Sequence, residues 1–262
     1  MARRDLSGKR ILLTGASSGL GEALARALAK HQPKLLLTAR REQSLSTLST
    51  DLKSQGCDSH FIAGDLTEPQ TRSKLVAFCQ QQFGGIDILI NNAGVGAMGD
   101  FETASPERLR KIFEVNFFSS VDLVRSTLKD LKGGNDSLIV NVGSVLGHRA
   151  APLKSEYCAS KFAIHGFSDS LRCELAGQNV ELLHVCPSTI DTDFFDAAVE
   201  DSTGKDWKSN MAMQPEYVAS RVVSAMQRRK HELILPTSAK LLVWLDRLLP
   251  SLANRIVARF GR

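Results

Sequence analysis

The stretch TGASSGLG, residues 14–21, decides how the rest of the chain is read. It follows the apolar run Arg10–Thr14, so a short buried strand feeds straight into a glycine-rich turn. Gly15, Gly19 and Gly21 each let backbone pass where a Cβ would collide. Gly15 suits the tight turn, Gly19 the approach of a pyrophosphate, and Gly21 the close packing of helix on strand. The helix opening at Gly19 presents its N-terminal amides, with Ser17, Ser18 and Leu20 beside them, to phosphate groups. Such a turn is a weak motif by itself. Placed after the first strand of a βαβ unit, it points to a dinucleotide site.

Further strands are expected at Lys34–Ala39, Asp58–Ala63, 87–91, Ser137–Val142 and 180–186, with a weaker one at Glu232–Leu235. Helical periodicity begins near Gly19, Gln43, Glu68, Pro106, Ser155 and Pro215. Strands separated by helix-length segments make βαβ units, and right-handed crossovers close them into a doubly wound (Rossmann) α/β fold. The expectation is one domain over residues 1–262, with a parallel sheet of about seven strands and helices on both faces. No linker or repeat divides the chain. Residues 188–213 have weak periodicity and read as a lid over the substrate.

Composition narrows the classes. The 262 residues carry 33 Lys and Arg against 28 Asp and Glu, and the basic residues are spread along the chain. That distribution argues against nucleic acid as a partner. Five cysteines form no CxxC pair and no metal-ligand spacing, so no metal is expected and a reducing compartment fits. No apolar leader precedes Ile11, and no apolar run is long enough to span a bilayer. The expected location is cytoplasmic.

The end of the second strand selects the cofactor. An NAD site calls for an acidic residue there, whereas this chain has Ala39 followed by Arg40 and Arg41. A guanidinium pairs with the extra phosphate of NADP in a forked geometry, and Ser17 offers a hydroxyl from the glycine turn. NADP(H) is therefore preferred over NAD(H).

Tyr157 and Lys161 lie four apart in a helical stretch, on one face. A phenol is a poor acid or base near neutrality, with a reference pKa of about 10. A nearby ammonium favours the phenolate, as does the positive ring of an oxidised nicotinamide. Ser144, at the end of the fifth strand, can donate to an oxygen on which charge develops.

The ordered set TGASSGLG, NNAG (91–94), Asn116 in FEVNFFSS, Ser144 in NVGS and YCASK (157–161) resembles the short-chain dehydrogenase/reductase family, in its small single-domain branch. The resemblance runs from about Lys9 to Thr192. It implies a carbonyl–alcohol oxidoreductase with a catalytic set of Asn116, Ser144, Tyr157 and Lys161. Tyr157 would be the acid in reduction and the base in oxidation, and Lys161 would lower its pKa and hold the nicotinamide ribose. Ser144 would orient the carbonyl, while Asn116 would anchor a water relaying protons from Lys161. Asp65 and Leu66 would meet the adenine, with Asn91, Asn92, Ala93 and Gly94 along the cofactor's middle. Pro187, Ile190 and Thr192 would receive the nicotinamide amide. One departure stands out: the family usually has Gly after that proline, and this chain has Ser188.

Leu146, His148 and Leu153 are expected to wall a substrate pocket, facing Phe194, Phe195, Trp207, Met211 and Met213 of the lid. Such walls suit an apolar ketone, aldehyde or secondary alcohol. Residues 238–262 form an amphipathic extension with Leu241, Leu245, Leu248, Leu249, Leu252, Ile256 and Phe260 in helical register, interrupted by Pro250. Lys240, Arg247, Arg255 and Arg259 add charge, and Trp244 suits an interfacial depth. The extension fits peripheral contact with an anionic membrane, a cover for the pocket or a subunit contact. The resemblance also implies a homodimer or homotetramer built on the helices of Asn116 and Tyr157. Two other readings stay open: a non-catalytic NADP(H)-sensing protein, and a membrane-associated reductase of lipid or steroid-like substrates.

Overall fold

The computed structural model describes residues 2–194, 198–199, 212–251 and 254–255. Seven parallel strands form one sheet: β1 (Arg10–Thr14), β2 (Lys34–Ala39), β3 (Asp58–Ala63), β4 (Ile88–Asn91), β5 (Ser137–Val142), β6 (Val180–Pro187) and β7 (Glu232–Leu235). Their order is β3-β2-β1-β4-β5-β6-β7. The expected α/β architecture is therefore present, with its strand ends displaced by at most one residue from the sequence reading.

Period-two alternation builds two cores from each strand. Ile11 and Leu13, Leu35 and Leu37, and Ile88 and Ile90 face one side, where α1 (Gly19–Ala29), α2 (Glu42–Ser54) and α7 (Pro215–Gln227) pack. Leu12, Leu36 and Leu89 between them face the other. There they meet α3 (Pro69–Phe78), α5 (Ser119–Gly133) and α6 (Ser155–Glu174). Apolar runs with no polar alternation are what a sheet covered on both faces demands.

The helix that begins at Pro106 holds a local departure. Ser105 caps α4 (Pro106–Phe113) by accepting from the Arg108 amide. Residues Glu114–Phe118 then form a π-helical turn, and α5 continues from it with the junction residues Phe113, Phe118 and Ser119 all helical. One long helix thus carries a bulge in its middle, with Asn116 inside it.

Residues 188–213, expected as a lid, are joined to each other near their two ends. Ile190 pairs with Met213, and the Asp191 amide donates to the Met213 carbonyl at 2.9 Å. Phe195, Trp207 and Met211 lie outside the described residues. In the C-terminal extension, α8 (Thr237–Leu248) ends just before Pro250, as the proline predicts. Val243 is buried, while Leu241, Trp244 and Leu248 face outward. Arg149 holds α8 through Asp246 at 2.8 Å and reaches Asn254 at 2.7 Å. Leu252, Ile256, Arg259 and Phe260 lie outside the described residues. Among the described residues, no helix is long and apolar enough to cross a membrane.

Candidate active site

The sheet order reverses between β1 and β4, and ligands of open α/β sheets bind at that switch point, beyond the carboxyl ends of the strands. A cleft of about 1280 Å³ opens there. Every residue that follows a strand and was expected to meet a cofactor lines it. Gly15, Ser17, Ser18, Gly19, Leu20 and Gly21 come after β1, and Arg40 and Arg41 after β2. Asp65 and Leu66 follow β3; Asn92, Ala93 and Gly94 follow β4; Pro187, Ile190 and Thr192 end and follow β6.

The glycine turn is a steric necessity. A Cβ on Gly21 would stand 2.0 Å from the Gly15 carbonyl oxygen, and one on Gly15 would stand 2.8 Å from the Ala93 Cα. Gly21→Ala is expected to lower the melting temperature and weaken dinucleotide binding together, by at least about tenfold, because backbone must move to admit the methyl. Isothermal titration with the dinucleotide checks this; unchanged affinity would mean the turn tolerates a side chain. Asn92 reinforces the same turn, its amide donating to the Thr14 and Gly15 carbonyls at 3.0 and 3.1 Å. Asn91 does not line the cleft. Its side chain runs under the sheet end, donating to Asn141 at 3.0 Å, which in turn donates to Ser168.

The guanidinium of Arg41 sits 3.3 Å from the Ser17 hydroxyl, both residues at the mouth of the cleft. Asp65 accepts from the amide and hydroxyl of Thr67, each at 2.9 Å, which fixes one carboxylate oxygen at the cleft wall.

At the floor, Ser144, Tyr157 and Lys161 are all buried and converge. The Ser144 hydroxyl hydrogen-bonds the Tyr157 phenol. It also accepts from the Leu146 amide at 3.1 Å. The Lys161 ammonium donates to the Val142 carbonyl at 3.0 Å and lies 5.6 Å from the Tyr157 ring centre. Burial pushes the Tyr157 phenol above its ordinary range, with the Ser144 bond pulling the other way. Burial also brings Lys161 down to about 8. The phenol thus starts above its ordinary value rather than below it, because desolvation of so enclosed a group outweighs its hydrogen bond.

Asn116 lies behind this floor rather than on it. Its oxygen accepts from the Val95 amide at 2.8 Å, and its amide donates to the Val95 carbonyl and the Ser160 hydroxyl, each at 3.0 Å. It therefore stitches the segment that follows β4 onto α6, beside Lys161.

The substrate end is partly as expected. Leu146 and Phe194 line the cleft, and the Phe194 ring meets Tyr157 edge-on, centres 6.0 Å apart. His148 and Leu153 do not line it. The turn Val145–Gly147 carries His148 toward Glu232, 3.2 Å away, and Leu153 is held in a left-handed conformation with its carbonyl accepting from Gly99. Sequence reasoning missed Glu107, Arg110, Lys111 and Glu114, which reach the cleft from α4 and the π turn, and also Lys154. Helix-face charges of this kind carry no local signal. Ser188 lines the cleft without adopting the left-handed conformation that would call for glycine, and its amide donates to the Leu235 carbonyl at 2.7 Å.

Comparison with known proteins agrees with this geometry. Residues 9–203 match the family described as short chain dehydrogenase. YxnA, an uncharacterized oxidoreductase of Bacillus subtilis, is 31% identical over 98% of this chain and 73% of its own length. The ketoacyl reductase HetN of Nostoc is 32% identical over 98% and 90%. A short chain dehydrogenase/reductase from Burkholderia phymatum, solved in complex with NAD, superposes with a TM-score of 0.87 at 25% identity, over 95% of this chain and 96% of that one. An alcohol dehydrogenase from the archaeon Thermococcus sibiricus, complexed with 5-hydroxy-NADP, gives 0.76 at 26% identity, over 86% and 94%. The family match, the relatives aligned over nearly all of this chain and the shared fold lead to one conclusion: this chain belongs to the short-chain dehydrogenase/reductase family of oxidoreductases.

Proposed function

We propose that the protein is an NADP(H)-dependent reductase of an apolar ketone or aldehyde, running the reverse oxidation of the secondary or primary alcohol at the same site. The observation that carries this reading is the convergence of Ser144, Tyr157 and Lys161, all buried, at the floor of one cleft. The glycine turn, which a Cβ would fill, fits a pyrophosphate, and the described residues beyond β4 and β6 fit the rest of a dinucleotide. When bound, the nicotinamide supplies or accepts the hydride.

The chain's own residues manage the oxygen and its proton. The Ser144 and Tyr157 hydroxyls, already hydrogen-bonded to each other, are placed to share one substrate oxygen. As charge gathers on that oxygen during reduction, Tyr157 gives up its phenolic proton and Ser144 donates to what remains. The raised phenol keeps its proton at neutral pH, which suits an acid. Lys161 stabilises the phenolate left behind, and a relay past Asn116 reprotonates it. Leu146 and Phe194 exclude water and favour an apolar substrate.

Arg41 supports NADP(H) over NAD(H). Its guanidinium is already beside Ser17, so a ribose phosphate there would meet a forked cation and a hydroxyl, with Arg40 adjacent. Charge-assisted bonds of this kind are worth about 1.5–3 kcal/mol, or roughly tenfold to a hundredfold in affinity. Arg41→Ala is expected to raise the KM for NADPH by that factor and leave NADH unchanged. The assay follows NADPH and NADH consumption over carbonyls from small aldehydes to steroid-like and long-chain ketones. Equal losses with both cofactors would sink the phosphate assignment, and no turnover despite firm NADPH binding would favour a sensing role.

Leu241, Trp244 and Leu248 share an outward face of α8, which supports peripheral contact with an anionic membrane. Changing all three to serine is expected to abolish cosedimentation with anionic vesicles while leaving the fold intact, since none is buried; unchanged cosedimentation would count against it. Exposed Phe118 and Phe162, on the helices of Asn116 and Tyr157, support a homo-oligomer.

A further inference from the structure

Outside the cleft, a second polar cluster assembles from four elements. His148 follows the turn Val145–Gly147, His165 comes from α6, His184 and Cys186 from β6, and Glu232 opens β7. A nitrogen of His148, the Cys186 sulfur and a Glu232 carboxylate oxygen all lie within 4.8 Å of one another. The His148 side chain and Cys186 are buried, whereas Glu232 is 40% exposed and gives the cluster a way out to solvent. The His148 Nε2 meets Glu232 Oε1 at 3.2 Å, so two of the three donors are already in contact. His165 packs against His148 with ring centres 4.1 Å apart and stacks on His184 at 4.9 Å. His184 is fully buried, and neither of its ring nitrogens has a hydrogen-bond partner among the described residues. Buried polar atoms without partners are uncommon, and here both ring nitrogens of one buried histidine lie beside the cluster.

We propose that His148, Cys186 and Glu232 bind one divalent transition-metal ion of the zinc class, with a solvent water as fourth ligand. Imidazole, thiolate and carboxylate together suit zinc, while a thiolate disfavours magnesium and calcium. Around a tetrahedral zinc, donors stand about 3.5 Å apart, so the cluster must contract by only about 1 Å. Glu232, on the solvent side, is free to supply that movement. On binding, the Cys186 S–H proton passes to solvent as the metal–sulfur bond forms, with no change of oxidation state. The ion ties the turn next to Ser144 to the strand end next to Pro187, and so braces two walls of the catalytic floor from behind. Nothing in the linear spacing hints at this, since the ligands are brought together by the sheet alone.

The test uses the full chain, freed of metal by chelation and titrated with cobalt(II) alone. Expected are one equivalent bound, a thiolate-to-cobalt charge-transfer band, and tetrahedral visible bands that zinc displaces. Zinc at a hundredfold excess over its Kd is expected to raise the melting temperature by roughly 5–10 °C. Cys186→Ser should remove the charge-transfer band. Glu232→Gln, at a partly exposed site where folding is safe, should keep the band but weaken binding at least about tenfold. Cys173→Ser, an exposed thiol elsewhere, should change neither. Failure to bind cobalt or zinc, a band that survives Cys186→Ser, or a band lost in Cys173→Ser would each overturn the site. These readouts need no turnover, so they are independent of the reductase reading.

Discussion

Tyr157→Phe is expected to lower kcat for carbonyl reduction by about a thousandfold, while NADPH binds as in the native protein. The ring that remains fills the same space between Phe194 and the Lys161 ammonium, so the floor of the cleft keeps its shape. What disappears is the one hydroxyl that can both touch the substrate oxygen and lose a proton. Ser144 stays, but its hydroxyl can offer the substrate oxygen a hydrogen bond and no more, its own acidity being far too weak for transfer. The loss should therefore fall on kcat and leave KM nearly untouched. Stopped-flow NADPH oxidation, paired with titration of NADPH binding, separates the two. A variant that retains even a tenth of native turnover would show that the proton comes from elsewhere.

The same geometry sets the pH profile. Burial brings Lys161 down to about 8, so its ammonium is present below that value and lost above it. Reduction should accordingly hold level near neutrality and decline as pH rises past about 8, because the charge that stabilises the departing phenolate is then gone. Tyr157 shifts the other way and keeps its proton throughout this window.

How much of this was visible beforehand depends on the range of the forces involved. The strands were legible because a sheet covered on both faces needs uninterrupted apolar runs, such as Leu35–Leu37 in β2. The turn at residues 14–21 was legible because only glycine survives a 2.0 Å approach. The π turn around Asn116 was not, since its cause is the packing of Asn116 on Val95 and Ser160 rather than anything in the sequence EVNFF. His148 was misplaced for a related reason. Its position four residues past Ser144 suggested a pocket rim, but the Val145–Gly147 turn reverses it toward Glu232, far away in the chain. The expectation that Lys161 lowers the phenol overlooked desolvation, a term that exists only once the fold has closed over both groups.

Arg108→Ala is expected to destabilise the protein by about 3–5 kcal/mol, lowering its melting temperature by roughly 10 °C or more. Arg108 and Glu156 are both almost fully buried and meet fork to fork, Nε to Oε1 and Nη2 to Oε2, each at 3.0 Å. The guanidinium also donates to the Met98 carbonyl at 3.4 Å, and Ser155 donates to the same carboxylate at 3.1 Å. Removing the arginine leaves the Glu156 charge buried, and the Ser155 hydroxyl that still donates to it is far from enough to replace a bidentate cation. The magnitude thus reflects the stranded carboxylate more than the worth of the pair. That distinction is testable, because exchanging both residues for methionine removes the two charges together and should recover most of the lost stability. Activity adds a further reading. Glu156 immediately precedes Tyr157, and the pair clamps the start of α6 to α4, so the single variant should also lower kcat by displacing the phenol. If the double variant is stable yet still slow, the ion pair positions Tyr157; if it is stable and fast, the pair serves only to satisfy its own charges.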